Sequence, residues 1–576
     1  MLKRWWVVVL GLLVLVCVAA ALALVVVGIR ASRVPGNVIV SVVLGGPMVE
    51  VKADDPIAQL MGDQAISLRE LRQALLLAAD DPRVEGVRVR VEGFTGSLAT
   101  ASEVRYLLDR VEQGGKWTSA YLDTAGEFSP GNLQYYVASS CQEVSLNPLG
   151  DVNLIGLSMR SPFIYGTLEK LEIKPEFPGR GDYKTARFMY TERDFTPAHR
   201  EMMTWLLDSL AGVMTSDIAE NRGLSPDDVR RLVDHGPHLG DEAAVARLVD
   251  TIEDWGSFTT RLGDRTGSGV KVLPFTEYLR RARKSPSGPK IAVVTAVGAI
   301  MRGESRKDLN PLLGGDVMGS DTIARAWRDV RRTTGVKAAI FRVDSPGGSA
   351  VASEVIRQEM VRTAEQIPVV VSMASVAASG GYWVSCGAQR IVASPATITA
   401  SIGVFGGHLN LDRFWSDKLG VTFGKLDHGT HANLYGELED WNDDQRVIID
   451  RQLDRIYDAF LERVASSRGM ETEQVDAVGR GRVFTGLQAS ANGLVDVVGG
   501  FDTALSQARE LAGIAPDAPV QLVDFPRVLP WWQRLAEKGR EEEITVRSAA
   551  ESLGEWWRTG VATPPGVVWM PPVYVQ

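Results

Sequence analysis

The second half of this chain repeats the first. Residues 84–97 run parallel to 336–349 at an offset of 252, with Val91-Glu92 answered by Val343-Asp344. After the loss of one residue, Ala101-Ser102-Glu103-Val104 meets Ala352-Ser353-Glu354-Val355 at 251. Tyr135-Tyr136-Val137 matches Tyr382-Trp383-Val384, Gln142 matches Gln389, and Ile155-Gly156 matches Ile402-Gly403, all at 247. Gly240 and Leu248-Val249-Asp250 match Gly486 and Leu494-Val495-Asp496 at 246. The offset drifts in one direction by small indels, as a duplication requires, whereas chance matches would scatter.

Each copy opens with a short β-branched run, 38–43 or 291–297, and then alternates helical stretches with apolar strands. That alternation predicts βαβ units and an α/β layer fold, made twice in tandem. Between the copies, RRARKSPSGP at 280–289 is basic and rich in Pro, Ser and Gly, the composition of a linker. The expected division is a first repeat at 36–280, a linker at 281–289, a second repeat at 290–525 and a tail at 526–576 that belongs to neither copy. The tail carries Trp531, Trp532, Trp556, Trp557 and Trp569, whose rings could sit at a membrane interface or pack on a neighbouring subunit.

Ahead of the repeats, residues 5–29 contain no charge and no proline over 25 positions. As a helix they would span about 37 Å, against a hydrocarbon core of about 30 Å. A cleaved signal peptide is the alternative, but its apolar region is normally about 7–15 residues, and here the run continues through Leu24 to Ile29. Lys3 and Arg4 keep residues 1–4 in the cytoplasm and send the body out. The expectation is a single-pass anchor at 5–29 with an extracytoplasmic body. A net charge of −9 argues against a nucleic-acid partner, which needs a basic face. Three cysteines, none paired at ligand spacing, build neither a disulfide framework nor a zinc finger.

No HExxH, phosphate-binding Gly-Lys-Ser/Thr loop or GxSxG elbow occurs, and none of the six histidines adjoins an obvious nucleophile turn. Two glycine-bearing turns of the second copy are better placed. Asp344-Ser345-Pro346-Gly347-Gly348-Ser349 follows an apolar strand and precedes a helix, where paired glycines can turn two backbone N–H groups outward as an oxyanion hole needs. It can equally be an ordinary tight turn. Ala377-Ala378-Ser379-Gly380-Gly381-Tyr382-Trp383 leaves Ser379 accessible among small residues, although such a serine is also a common helix N-cap.

The duplication separates these readings. In the first copy Ser379 is answered by Asn132, Ser401 by Leu154 and Gly347-Gly348 by Thr95-Gly96, so the nucleophile turn is lost there. Conversely, Lys184 of the first copy is answered by Thr430. One half keeps a nucleophile and the other a base, which suggests one composite site across both.

Through the DSPGGS turn at 344–349, the AASGGYW turn at 377–383, the ASIGVFGG stretch at 400–407 and the DYKTA segment at 182–186, the chain resembles the signal peptide peptidase A family. The likeness is to its long, duplicated, membrane-anchored form, within the Clp protease and crotonase superfamily, and covers about residues 1–525. It implies two tandem Clp/crotonase-like domains, with Ser379 as nucleophile, Lys184 as general base, Ser401 orienting the lysine, and Gly347 and Gly348 supplying oxyanion amides. It also implies no metal or cofactor, short apolar peptides such as cleaved signal-peptide remnants as substrates, and a homo-oligomer, a tetramer, forming a bowl with the sites inside. The location implied is the bacterial cytoplasmic membrane, with the body on the periplasmic side. Two departures are Ala400, where a glycine often precedes the serine, and Thr185, where a serine follows the lysine. A lysine can act as the base only if burial lowers its pKa from about 10.4, and seating it on a different repeat from the serine allows that desolvation when the halves close. Two other functions share the frame: a crotonase-like acyl-CoA binder, which needs no serine nucleophile, and an inert membrane scaffold, which would have lost the dyad.

Overall fold

The computed structural model describes residues 33–52, 65–267, 269–283, 287–308 and 315–527, with the short strands Val567–Val568 and Tyr574–Val575. The anchor expected at 5–29 lies outside the described residues. Among those described, no helix is long and apolar enough to cross a membrane.

Two parallel sheets carry the chain, and both have the same strand order. In the first, Lys271–Pro274 is at one edge, followed by Val38–Leu44, Val84–Val91, Trp117–Leu122, Glu143–Leu146 and Thr251–Ile252. In the second, Gln521–Phe525 is followed by Lys290–Val297, Val336–Ser345, Val369–Ala378, Arg390–Ala393 and Val497–Val498. The inner strands of the second sheet, KIAVVTAV, VKAAIFRVDS and VVVSMASVAA, are mostly apolar and buried, as parallel pairing covered on both faces demands, whereas Val84–Val91 (VEGVRVRV) of the first alternates valine with the half-buried Arg88 and Arg90. Ile398–Ala400 extends the second sheet from the far end of Val369–Ala378, and Val483–Thr485 joins it antiparallel.

The duplication extends to individual hydrogen bonds. Tyr135 Oη donates to Leu248 O at 2.9 Å, and Tyr382 Oη donates to Leu494 O at 2.8 Å. Asp250 accepts the amide of Val144 at 2.8 Å, and Asp496 accepts that of Ile391 at 2.7 Å. Each copy also has a 26-residue helix, Pro197–Arg222 or Asp443–Arg468, stopped by a glycine in the left-handed region, Gly223 at φ 60° and Gly469 at φ 63°. The first repeat's last helix, Phe275–Ala282, reaches two residues past 280. Ala282 completes the apolar face of Phe275, Tyr278 and Leu279 at the i, i+3, i+4, i+7 spacing, and all four are buried.

The repeats do not sit apart. Ala378, Ile398 and Val483 of the second pack into the core of the first. An arm of the first repeat crosses to the second in two antiparallel ladders: Lys174–Glu176 pairs with His408–Asn410, and Gly179–Arg180 pairs with Val404–Phe405. That crossing delivers the residues that follow it to the second repeat.

Candidate active site

Lys184 comes four residues after the second ladder. Tyr183 N donates to Arg480 O at 2.9 Å, which docks the segment on the turn 479–482. Gly481 adopts φ +81°, and a Cβ there would lie 2.4 Å from Lys184 N, so only glycine lets the two backbones approach this closely. The lysine is 1% exposed. Among the described residues no carboxylate balances it, and burial pushes its pKa well below the ordinary value.

Ser379 ends the strand Val369–Ala378 and opens the short helix Gly380–Ser385. Its backbone is at φ 59°, ψ −116°, a strained conformation for a residue with a side chain, and its Oγ makes no capping bond to the helix. The N-cap alternative is therefore not what the side chain does. It faces Lys184, with Nζ 2.6 Å from Oγ across 195 residues of sequence. Lys184 Nζ also reaches Ser401 O at 3.0 Å and Ser401 Oγ at 3.1 Å. Ala400 and Ser401 lie at φ 65° and 55°. Glycine adopts that region freely and alanine does not, which is the physical reason a glycine suits position 400.

The glycine turn adjoins this pair. A Cβ on Gly380 would lie 3.1 Å from Gly348 N, and one on Gly348 would lie 2.1 Å from Ile300 O. Gly347 N donates within its own turn, to Ser345 Oγ at 3.1 Å. The structure thus brings Lys184, Ser379, Ser401 and Gly348 together, with Gly347 beside them and its amide turned inward. In the first repeat, Asn132 stands where Ser379 does and has become structural: its Oδ1 accepts the amides of Ile155 and Gly156 at 3.0 and 3.1 Å. Of the histidines, His408 lies against Glu176 and Gly436 O, His238 against Leu232 O and His235 against Arg231 O, while His199 is buried among Phe163, Phe188 and Phe195 with neither ring nitrogen hydrogen-bonded.

Three residues at this site were given no role of their own in the sequence, two of them inside the turns singled out there. Gly380 carries the amide next to Ser379, a position implied by any nucleophile at a helix start. Gly481 shows only as a glycine in GRGR. Asp344 fills a break in the ladder: Val343 pairs with Met373 but Ser345 pairs with Ala377, and Asp344 Oδ1 accepts the displaced Val376 amide at 3.0 Å. Burial first, and then the nearby Glu50, raise its pKa to about 7.

That shift has a sign. Between about pH 4 and 7 the folded state holds a proton that the unfolded chain has lost, so Asp344 makes stability fall as pH rises through this window. Asp344→Asn keeps an acceptor for Val376 and removes the charge. Urea unfolding is expected to show the variant more stable than wild type by about 2–4 kcal/mol at pH 8 and equal near pH 4. Equal stability at both pH values would show that the carboxyl is ionised at no cost.

A model of Peptidase family S49 matches residues 125–268 and 362–515, one stretch in each repeat. The chloroplastic serine protease SPPA of Arabidopsis thaliana is 30% identical over 475 residues, covering 81% of this chain and 68% of that one. Protease 4 of Salmonella typhi is 34% identical over 469 residues, covering 78% and 72%. Protease 4 of Haemophilus influenzae is 33% identical over 476 residues, covering 79% and 75%. Similarity of this extent, falling on both halves, means that the chain belongs to peptidase family S49, as a serine peptidase of the long form in which the family's unit occurs twice.

Proposed function

We infer that this serine peptidase is a membrane-anchored endopeptidase with Ser379 as nucleophile and Lys184 as general base, hydrolysing apolar peptides such as remnants of cleaved signal peptides. The observation that carries the reading is the 2.6 Å approach of Lys184 Nζ to Ser379 Oγ, both buried, across the contact between repeats. A neutral lysine amine has two N–H groups and one lone pair. With the N–H groups directed at Ser401 O and Ser401 Oγ, the lone pair is left for the hydroxyl proton of Ser379.

Ser379 Oγ bonds to the scissile carbonyl carbon as its proton passes to Nζ, and the carbonyl π pair moves onto oxygen. The amides of Gly348 and Gly380 hold that oxyanion, joined by Gly347 when its N–H leaves Ser345 Oγ. The lysine ammonium returns its proton to the departing amine nitrogen, the C–N bond breaks, and an acyl-enzyme remains. Water then attacks with the same amine taking its proton, and Ser379 is restored. Residues 5–29 would hold the body on the extracytoplasmic side of a bacterial cytoplasmic membrane, where apolar remnants begin in the bilayer. Assembly into a tetramer with its sites inside belongs to the same reading.

The test uses the full chain in detergent with an apolar fluorogenic peptide and a fluorophosphonate probe. Wild type should turn over the peptide and take the label at Ser379, and Ser379→Ala should lose the label with a fall of about 10⁴-fold or more in turnover. Turnover that survives Ser379→Ala would end the assignment.

A further inference from the structure

The turn that carries the paired glycines is braced by one buried hydroxyl. Ser345 ends the strand Val336–Ser345 with no exposed surface, and its Oγ is used twice. It donates to Gly298 O at 2.7 Å and accepts the Gly347 N–H at 3.1 Å. The second bond closes a side-chain turn over Pro346, of the kind a serine makes with the amide two residues on. The first bond ties that turn to a fixed point. Gly298 N donates to Asp344 O at 2.8 Å, and a Cβ on Gly298 would lie 1.7 Å from Asp316 O. Both backbone groups of Gly298 are thus taken by the Asp344-Ser345 pair.

The first repeat shows that the turn closes without this hydroxyl. Met48 N donates to Thr95 O at 3.3 Å, as Ile300 N donates to Gly347 O at 2.8 Å, with both partners at the offset of 252. Gly93 stands there in place of Ser345. The copy that carries no counterpart of Ser379, Ser401 or the glycine pair therefore lacks the hydroxyl too, and still folds the turn. What the hydroxyl serves is the site that only the second copy has.

We propose that Ser345 is a positioning residue of the peptidase: by joining Gly298 O to Gly347 N–H, its hydroxyl holds the glycine turn in the conformation that presents the Gly348 amide to Ser379. The proposal rests on the peptidase reading above. Gly347 and Gly348 lie at φ 105° and 153°, a region that glycine enters freely and leaves as freely. Two such residues in succession do not fix their own amides. The hydroxyl removes that freedom before substrate arrives, and an oxyanion hole works through donors that are set in advance. Any release of the Gly347 N–H toward the oxyanion then starts from an aligned turn. A serine suits the place because one small group both donates and accepts.

The experiment uses the full chain in detergent as wild type, Ser345→Ala and Ser345→Gly, the last giving the second repeat what the first already has. On an apolar fluorogenic peptide, kcat should fall about 10–100-fold in both variants while KM stays within about twofold. Because Lys184 is untouched, the fall should be the same at pH 7 and pH 10. A boronic acid analogue of that peptide separates positioning from packing. Ser379 Oγ bonds to boron, its proton passes to Lys184 Nζ, and a boron-bound hydroxyl takes the oxyanion's place, so the inhibition constant should rise about tenfold or more. The uncut peptide, bound to Ser379→Ala with and without Ser345→Ala, should keep its dissociation constant. Should Ser345→Gly not fold, Ser345→Ala keeps the Cβ and decides alone. Wild-type kcat in a folded variant would overturn the proposal and leave the peptidase standing. Equal weakening of boronate and uncut peptide would overturn it too, since the hydroxyl would then only shape the groove. A wild-type chain that neither cuts the peptide nor takes the boronate would sink the hydrolytic reading and the proposal with it.

Discussion

Replacing Lys184 by Met should lower turnover by about 10³-fold or more while making the protein harder to unfold at neutral pH. Both effects come from one buried amine. On the proposed mechanism its loss removes the base for Ser379, and a positioned base contributes roughly 10²–10⁴ in rate before the shared, non-additive action of nucleophile and base is counted. Met keeps the apolar stem and volume, so the pocket does not collapse. The stability effect follows from the depressed pKa. Between the folded pKa and about 10.5, the unfolded chain binds a proton that the folded chain does not, so wild-type stability rises with pH across that window. Each pH unit is worth about 1.4 kcal/mol. Met removes the dependence, so its advantage is largest at the low end of the window and closes as pH approaches 10.5. The wild-type rate should rise with pH through the same depressed pKa. Rates of kcat/KM and urea midpoints at pH 7 and pH 10 read both effects. Wild-type turnover in Lys184→Met would place the base elsewhere, and a stability difference independent of pH would mean that Lys184 is buried as an ammonium.

The repeat was legible because each duplicated element reuses its own contacts. Tyr135 and Tyr382 bond equivalent carbonyls, and Asp250 and Asp496 bond equivalent amides, so these residues persist in both copies. The serine side of the site was legible for the opposite reason. Asn132 for Ser379 and Leu154 for Ser401 mark where one copy stopped carrying the pattern. What the sequence concealed are contacts between the repeats. Pairing of 174–180 with 404–410 depends on two strand edges meeting, and edge pairing through the main chain leaves no local pattern. Lys184 taken alone reads as a solvated lysine, because its burial comes from residues of the other repeat. Glu103 shows how one inherited residue diverges. Its counterpart Glu354 accepts from Arg357 and from Trp383 Nε1 within the second repeat, whereas Glu103 looks outward to that repeat.

Glu103 belongs to a buried ionic cluster that joins the halves, and Arg342→Met should destabilise the protein by about 3–5 kcal/mol. Arg342 is 3% exposed on the strand Val336–Ser345. It donates to Glu50 at 2.9 Å, Ser372 Oγ at 3.0 Å and Glu103 at 2.6 Å. Arg72, stacked 4.1 Å from the Phe501 ring centroid, also donates to Glu103, at 3.0 Å. Two guanidinium groups thus face two carboxylates, with Glu50, Arg72 and Glu103 from the first repeat and Arg342 from the second. Burial alone would raise the Glu103 pKa; Arg342 and Arg72 outweigh it and hold the carboxyl below its usual value. Without Arg342, two buried carboxylates share one cation, and desolvation is no longer offset. Adding Glu103→Gln to Arg342→Met restores one carboxylate to one guanidinium, so the double variant should be less destabilised than the sum of the single variants by roughly 1–3 kcal/mol. Acid should do the same without a second substitution. A carboxyl held low in the folded state stabilises above its unfolded pKa and loses that contribution as pH falls. The deficit of Arg342→Met should therefore narrow below about pH 5, where Glu103, no longer held low by Arg342, takes up its proton. Urea midpoints of the single and double variants at pH 7.5 and pH 4.5 decide it. Strict additivity with no narrowing in acid would mean that Arg342 acts by packing and not by charge. Because Lys184 and Ser379 approach from opposite sides of this same junction, a charge imbalance there should lower kcat/KM even while both repeats stay folded.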